Sequence, residues 1–169
     1  MEPLAHASIA LLAKPLANKA PLWALLAATQ VPDLLGIPLI AVGIERGAES
    51  KLDFVHGLQY LNTPSIAWSH GIFMSVVWSL LVAASAYYFS RDRRVSLLIG
   101  LMVLSHWLLD FIVYRNMPIF FESPPRSGLG LITSPPGLIV GILMEVGLIA
   151  ASIAIIVRQV MQRRKKILA

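Results

Sequence analysis

The stretch Leu97-Leu98-Ile99-Gly100-Leu101-Met102-Val103-Leu104-Ser105-His106-Trp107-Leu108-Leu109-Asp110 is apolar until it sets an imidazole and a carboxylate four positions apart. The apolar run around it, 94–115, exceeds the roughly 20 residues that a helix needs to cross a bilayer. On that helix His106 and Asp110 share a face, so they can hold one cation or bond to one another. Ionisable groups in such a run are costly and mark function.

The whole chain agrees with this run. Its 169 residues are 57% hydrophobic and 14% charged, with a mean hydropathy of +0.73, whereas soluble domains carry about 25% charged residues. The composition is that of an integral membrane protein. One domain, 1–169, leaves no room for a separate soluble catalytic unit, so any chemistry is built into the helices. There is no cysteine, and a metal would be held by nitrogen and oxygen ligands. The net charge of +5 sits at the ends of apolar runs, in Arg91-Asp92-Arg93-Arg94 and Arg163-Arg164-Lys165-Lys166, which reads as topology and argues against a nucleic-acid partner. The N-terminus shows no basic n-region, and no removable signal peptide is expected.

The pattern predicts an all-α, polytopic transmembrane bundle of about five helices, over 3–19, 21–45, 65–90, 94–115 and 135–162. The first is short, crossing the bilayer or only dipping into it. The second should kink at Pro32 and Pro38. With both basic clusters in the cytoplasm, the protein is a multi-pass inner-membrane protein with its C-terminus inside and loops 46–64 and 116–134 outside. At a rise of about 1.5 Å per residue, Asp33, His106 and Glu145 fall roughly 18–21 Å from the cytoplasmic boundary and His6 about 20 Å, with Asp110 near 24 Å and His70 near 30 Å. The six residues converge on the outer half.

Each of the six also has a plain structural reading. His106 with Asp110 can be helix glue, His70 can donate to Ser69 or a carbonyl, Asp33 after Pro32 can cap a restarted helix, and Glu145 can be a neutral acid bonded across helices. Jointly, three histidines and three carboxylates suit a divalent metal, most simply Zn²⁺, as one or two ions. The expected ligands are His6, Asp33, His70, His106, Asp110 and Glu145. Asp33 and Glu145 double as candidates for a catalytic base, in a hydrolase acting on an ester. Arg115 reads as a solvated loop residue, although it is placed to meet an anionic substrate group, and Trp68 and Trp107 adjoin ligands, where they contact substrate or serve as packing anchors. Glu45, Asp53 and His56 read as solvated loop residues. Ser69 and Ser105 each precede a histidine without a G-x-S-x-G elbow, which disfavours serine hydrolase chemistry.

The ordered set His6, Val31-Pro32-Asp33-Leu34-Leu35, Gly43-Ile44-Glu45, Leu52-Asp53-Phe54-Val55-His56, Ser69-His70, Leu104-Ser105-His106-Trp107-Leu108-Leu109-Asp110, Ser134-Pro135-Pro136 and Glu145 resembles the membrane-bound metal-dependent hydrolase family. Its best-known branch is the LexA-binding, inner membrane-associated hydrolases, and the resemblance covers nearly the whole chain. The order His, Asp, His, His-x-x-x-Asp is also similar to that of zinc-dependent phospholipase C and the related single-strand nucleases. That resemblance implies metal ligation by His6, Asp33, His70, His106 and Asp110, with Asp110 bridging if two ions are bound. It also implies a phosphodiester substrate, and a membrane lipid is the expected one because a pocket in the outer half of the bundle is reached most readily from the outer leaflet. The chain departs from those enzymes in lacking their further histidine ligands. It departs from several family members in reading Pro64-Ser65-Ile66-Ala67-Trp68 where they carry His-Arg-Gly. Transport of a metal ion or proton, and a structural or regulatory membrane protein, are the competing readings, and no motif specifies an oligomeric state.

Overall fold

The computed structural model describes residues 3–53, 55–60, 64–121 and 125–168. Its framework is all-α: α1 (Pro3–Ala13), α2 (Leu22–Thr29), α3 (Val31–Ala41), α4 (Ala67–His70), α5 (Ile72–Ser90), α6 (Arg93–Val113) and α7 (Pro135–Leu168). Ile72–Ser90, Arg93–Val113 and Pro135–Gln162 are long and apolar enough to cross a membrane, and α2 with α3 makes a fourth span if the bent pair counts as one. The two segments read as loops carry small antiparallel ladders, β1 (Ser50–Asp53) with β2 (Gly57–Tyr60) and β3 (Met117–Pro118) with β4 (Arg126–Ser127).

Three breaks fall within the five expected segments. α1 stops at Ala13 after 11 residues, about 16 Å and half of a bilayer core. Pro15 disfavours helix at the residue before it, and the Lys14 ammonium folds over the turn to donate to the carbonyls of Ala17, Asn18 and Ala20 at 3.3, 3.1 and 2.6 Å. The second break falls at Gln30, where α2 and α3 meet at 47°. Pro32 follows in the first turn of α3, where its missing N–H breaks no intrahelical bond, whereas α3 runs on through Pro38. The third was not foreseen: the segment 65–90 divides at Gly71, whose backbone is extended (φ −68, ψ 143). A Cβ on Gly71 would collide with the Ala67 carbonyl oxygen and come within 3.1 Å of that of Phe120. The chain after β3 packs into the gap, with the Phe73 N–H donating to the Ile119 carbonyl at 3.1 Å.

α6 is the central helix. Half of its apolar window is buried, against 11% for α5 and for α7. Asp92 caps it, accepting from the Arg94 and Val95 N–H groups at 3.0 and 3.2 Å, and Arg91 in the left-handed conformation closes the tight turn from α5. Close approach of α5 and α6 depends on small residues, as expected for helices that cannot rely on apolar burial alone. A Cβ on Gly100 would lie 2.8 Å from that of Ala83, and the Ser79 and Ser96 hydroxyls donate to the carbonyls of Gly100 and Ala83 at 2.7 and 2.6 Å. Leu25, Ala28, Val95, Ile99, Met102 and Val103 form the core between α2 and α6, below the polar layer.

Candidate metal centre

Five of the six expected ligands come together from four helices. His106 and Asp110 occupy the last two turns of α6 and are buried. His6 reaches them from α1, which leans on α7 through the Ser152 hydroxyl, donating to the Ser8 carbonyl at 3.1 Å. Asp33 arrives in the first turn of α3, re-aimed by the bend at Gln30. His70 ends α4 immediately before the Gly71 break. α3 and α4 touch because position 36 is glycine: a Cβ there would stand 3.3 Å from Ser69 Oγ and 3.6 Å from His70 Cε1.

The side chains form two overlapping groups, His6 with His106 and Asp110, and Asp33 with His70 and His106, the ligand atoms of each within 4.8 Å of one another. His106 Nε2 lies 3.3 Å from Asp110 Oδ2 and 3.6 Å from Asp33 Oδ1. His6 Nε2 lies 3.4 Å from Asp110 Oδ1, and His70 Nε2 lies 3.3 Å from Asp33 Oδ1 and 4.0 Å from Asp110 Oδ2. Ligands held at about 2.0–2.1 Å on a tetrahedral ion stand about 3.3 Å apart. The shorter distances match that spacing, so each group could hold a metal ion, and they equally suit a hydrogen bond such as that between His70 Nε2 and Asp33 Oδ1. Exposure is graded across the cluster: the side chains of His6, His106 and Asp110 are at most 6% exposed, His70 is 15% and Asp33 is 40%. Asp33 forms the open edge.

His106 reveals what the layer needs. Its Nδ1 lies 2.7 Å from the Thr29 carbonyl, which can only accept, so Nδ1 carries a proton. Nε2 is buried with no hydrogen-bond partner, and in the neutral ring it aims a lone pair at two carboxylate oxygens. Only a cation, a second proton or a metal, makes that arrangement favourable. The His6 and His106 rings also stack, with centroids 3.8 Å apart and planes 9° apart, which disfavours protonating both. A divalent ion satisfies the nitrogens and carboxylates together. One lone pair serves one ion, so the two groups that share His106 cannot each hold a metal on ligands of their own.

The other candidates fall elsewhere. Glu145 is half-buried on α7 and belongs to neither group. Arg115 is exposed on the chain leaving α6, beside Gly130. The Trp68 ring packs 4.9 Å from Phe121 while its carbonyl accepts from Trp78 Nε1, and Trp107 stacks on Phe111. Glu45 reverses its loop reading: it is 3% exposed, and its Oε1 accepts from the Trp68 and Ser69 N–H groups, both at 2.8 Å. His56 is exposed, as read, and the side chain of Asp53 lies outside the described residues. A cavity of about 810 Å³ lies away from the layer, between α2, α5 and α6, lined by residues including Trp23, Ala27, Phe89 and Val95. No family model, curated protein or solved structure matches the chain.

Proposed function

We propose that the protein is a membrane-embedded hydrolase that uses a divalent metal, zinc, to cleave an ester, with the phosphodiester of a membrane lipid as substrate. It would stand with the membrane-bound metal-dependent hydrolases it resembles. The observation carrying this reading is His106 Nε2, buried without a hydrogen bond and facing carboxylate oxygens at 3.3 and 3.6 Å. His6, His106 and Asp110 would hold the ion, with His70, 4.0 Å from Asp110 Oδ2, completing the set from the adjoining group. When bound there, zinc would supply Lewis acidity and lower the pKa of a coordinated water.

Asp33 then has a distinct part. It is the most exposed of the five, and with Oδ1 turned to His70 and His106 its Oδ2 is free to accept the proton of an attacking water. The base role assigned to Glu145 passes to Asp33. The imidazoles and Asp110 hold position from opposite sides and exclude solvent from the buried face. Membrane lipid is favoured as substrate because the open edge lies on a helical framework with three or four helices suited to spanning a bilayer. His106 follows Arg93 by thirteen residues, about 20 Å of helix, which supports an extracytoplasmic position when the basic turn faces the cytoplasm.

The test is metal analysis of the purified protein, paired with headgroup release from phospholipid vesicles. Wild type should carry stoichiometric zinc and release a phosphorylated headgroup. His106→Ala and Asp110→Ala should lose both. Metal-free wild type, or variants that retain full metal and turnover, would overturn the proposal.

A further inference from the structure

Glu45 has a use that the metal ligands do not exhaust. Its Oε1 is occupied by two backbone N–H groups, while Oε2 lies 2.6 Å from Ser69 Oγ. Ser69 is fully buried, and its Oγ is also 2.7 Å from His70 Nδ1. The serine hydroxyl has one proton to give and two neighbours. Either it donates to Glu45 and accepts from His70 Nδ1–H, or a protonated Glu45 donates to it and it donates to a bare Nδ1. Oε1 accepts from the Trp68 and Ser69 N–H groups and Oε2 accepts from the Ser69 hydroxyl, which selects the first direction.

We propose that Glu45 is the positioning residue of the metal centre: through Ser69 it holds His70 as the Nδ1–H tautomer, so that Nε2 presents its lone pair to the ion. This rests on the metal reading above. In this tautomer Nε2 faces Asp33 Oδ1 at 3.3 Å and Asp110 Oδ2 at 4.0 Å as an acceptor among acceptors, an arrangement that a cation completes. In the other tautomer Nε2–H would donate to Asp33 and leave His70 no lone pair for metal. The chain His70, Ser69, Glu45 does for the open side of the centre what the Thr29 carbonyl does for His106. Partners of this kind change metal affinity by roughly 10–100-fold.

The two directions predict opposite behaviour for Glu45→Gln. A glutamine that keeps its carbonyl on the two N–H groups turns its NH₂ toward Ser69, reverses the hydroxyl and drives His70 to the Nε2–H form. Ser69→Ala removes the link without imposing a direction, and serves if Glu45→Gln fails to fold. The experiment uses the full chain in detergent micelles with ¹⁵N-labelled histidine. Long-range ¹H–¹⁵N correlation reads the His70 tautomer without metal, and titration with Zn²⁺ reads affinity. Expected are Nδ1–H in wild type, Nε2–H in Glu45→Gln with a 10–100-fold loss of affinity, and mixed tautomers in Ser69→Ala with a smaller loss. An Nε2–H His70 in metal-free wild type overturns the inference, as does Zn²⁺ affinity within twofold of wild type in both variants. A wild type that shows the Nδ1–H form but binds no Zn²⁺ overturns both the positioning role and the metal reading, whereas Zn²⁺ binding by an Nε2–H His70 overturns the positioning role alone.

Discussion

Two glutamates mark the contrast between the corner where α3 meets α4 and the middle of α7. Glu145 interrupts a long apolar run, Glu45 sits among glycines and charged residues, and hydropathy alone ranks the first as buried and the second as solvated. The folded chain reverses the ranking. Glu45 is 3% exposed with both carboxylate oxygens accepting hydrogen bonds, while Glu145 is half-buried and, among the described residues, makes neither a hydrogen bond nor an ion pair. A helix that is apolar all round can turn most of its surface outward, as α7 does, so an apolar neighbourhood in sequence is not a buried one in space. A short loop residue becomes buried when two chain segments close over it.

The comparison breaks most sharply at the level of metal binding. Asp110 uses both oxygens, one toward His6 and the other toward His106, and Asp110→Asn should weaken Zn²⁺ binding by well over 100-fold, beyond what outer partners contribute. Glu145→Gln should leave affinity within about twofold, since its carboxylate joins neither ligand group. Chelator competition on the purified variants measures both. Equal losses would return Glu145 to the ligand set and remove the distinction between the two regions.

What was legible follows from the range of the interactions concerned. Helices α5, α6 and α7 were readable because bilayer-length apolar runs are local features, and His106 with Asp110 because i,i+4 spacing is set by one helix. His6, Asp33 and His70 were reachable by counting depth from charged ends. The division at Gly71 was not: apolar residues continue on both sides, and what splits the helix is the chain near Phe120 packing against it. Glu45 was misplaced for the same reason, since its partner Ser69 lies 24 positions away in sequence. Adjacency in sequence makes Ser69 a natural acceptor for His70, but it gives no sign of the second bond, to Glu45.

A pair of glycines sharpens the comparison at a smaller scale. Gly36 belongs to the Glu45 corner, and Gly36→Ala puts a methyl 3.3 Å from Ser69 Oγ and 3.6 Å from His70 Cε1. The neighbours must shift, at a cost of about 1–3 kcal/mol for overpacking, and Zn²⁺ affinity should fall several-fold as Ser69 and His70 move. Gly147 lies two residues beyond Glu145 with nothing within 4 Å of a built Cβ. Gly147→Ala should leave metal binding unchanged and raise stability by up to about 1 kcal/mol through helix propensity. Thermal unfolding with and without Zn²⁺ separates the two. A neutral Gly36→Ala would mean that the close contact of α3 with α4 is not what holds the corner together.

Asp92 supplies the limiting case, a half-buried carboxylate with clear partners, one of them an exposed lysine. The Lys19 ammonium, 3.0 Å away, and the Val95 and Arg94 N–H groups hold its carboxyl below the ordinary range. Because the folded value is the lower one, the stabilisation is complete above the unfolded pKa of about 3.9 and is lost as pH falls through the folded value. Lys19 is 81% exposed, so salt screens the pair and its contribution is small. Asp92→Asn keeps a capping oxygen and loses the charge. Its melting temperature should lie no more than about 2 °C below wild type at neutral pH, and the gap should close in acid or at high salt. A gap that persists unchanged in acid would show that the cap matters and the charge does not. Partners alone therefore do not set a carboxylate's importance: Asp92 shares its charge with an exposed lysine, whereas buried Glu45 is linked through Ser69 to His70 of the candidate metal centre.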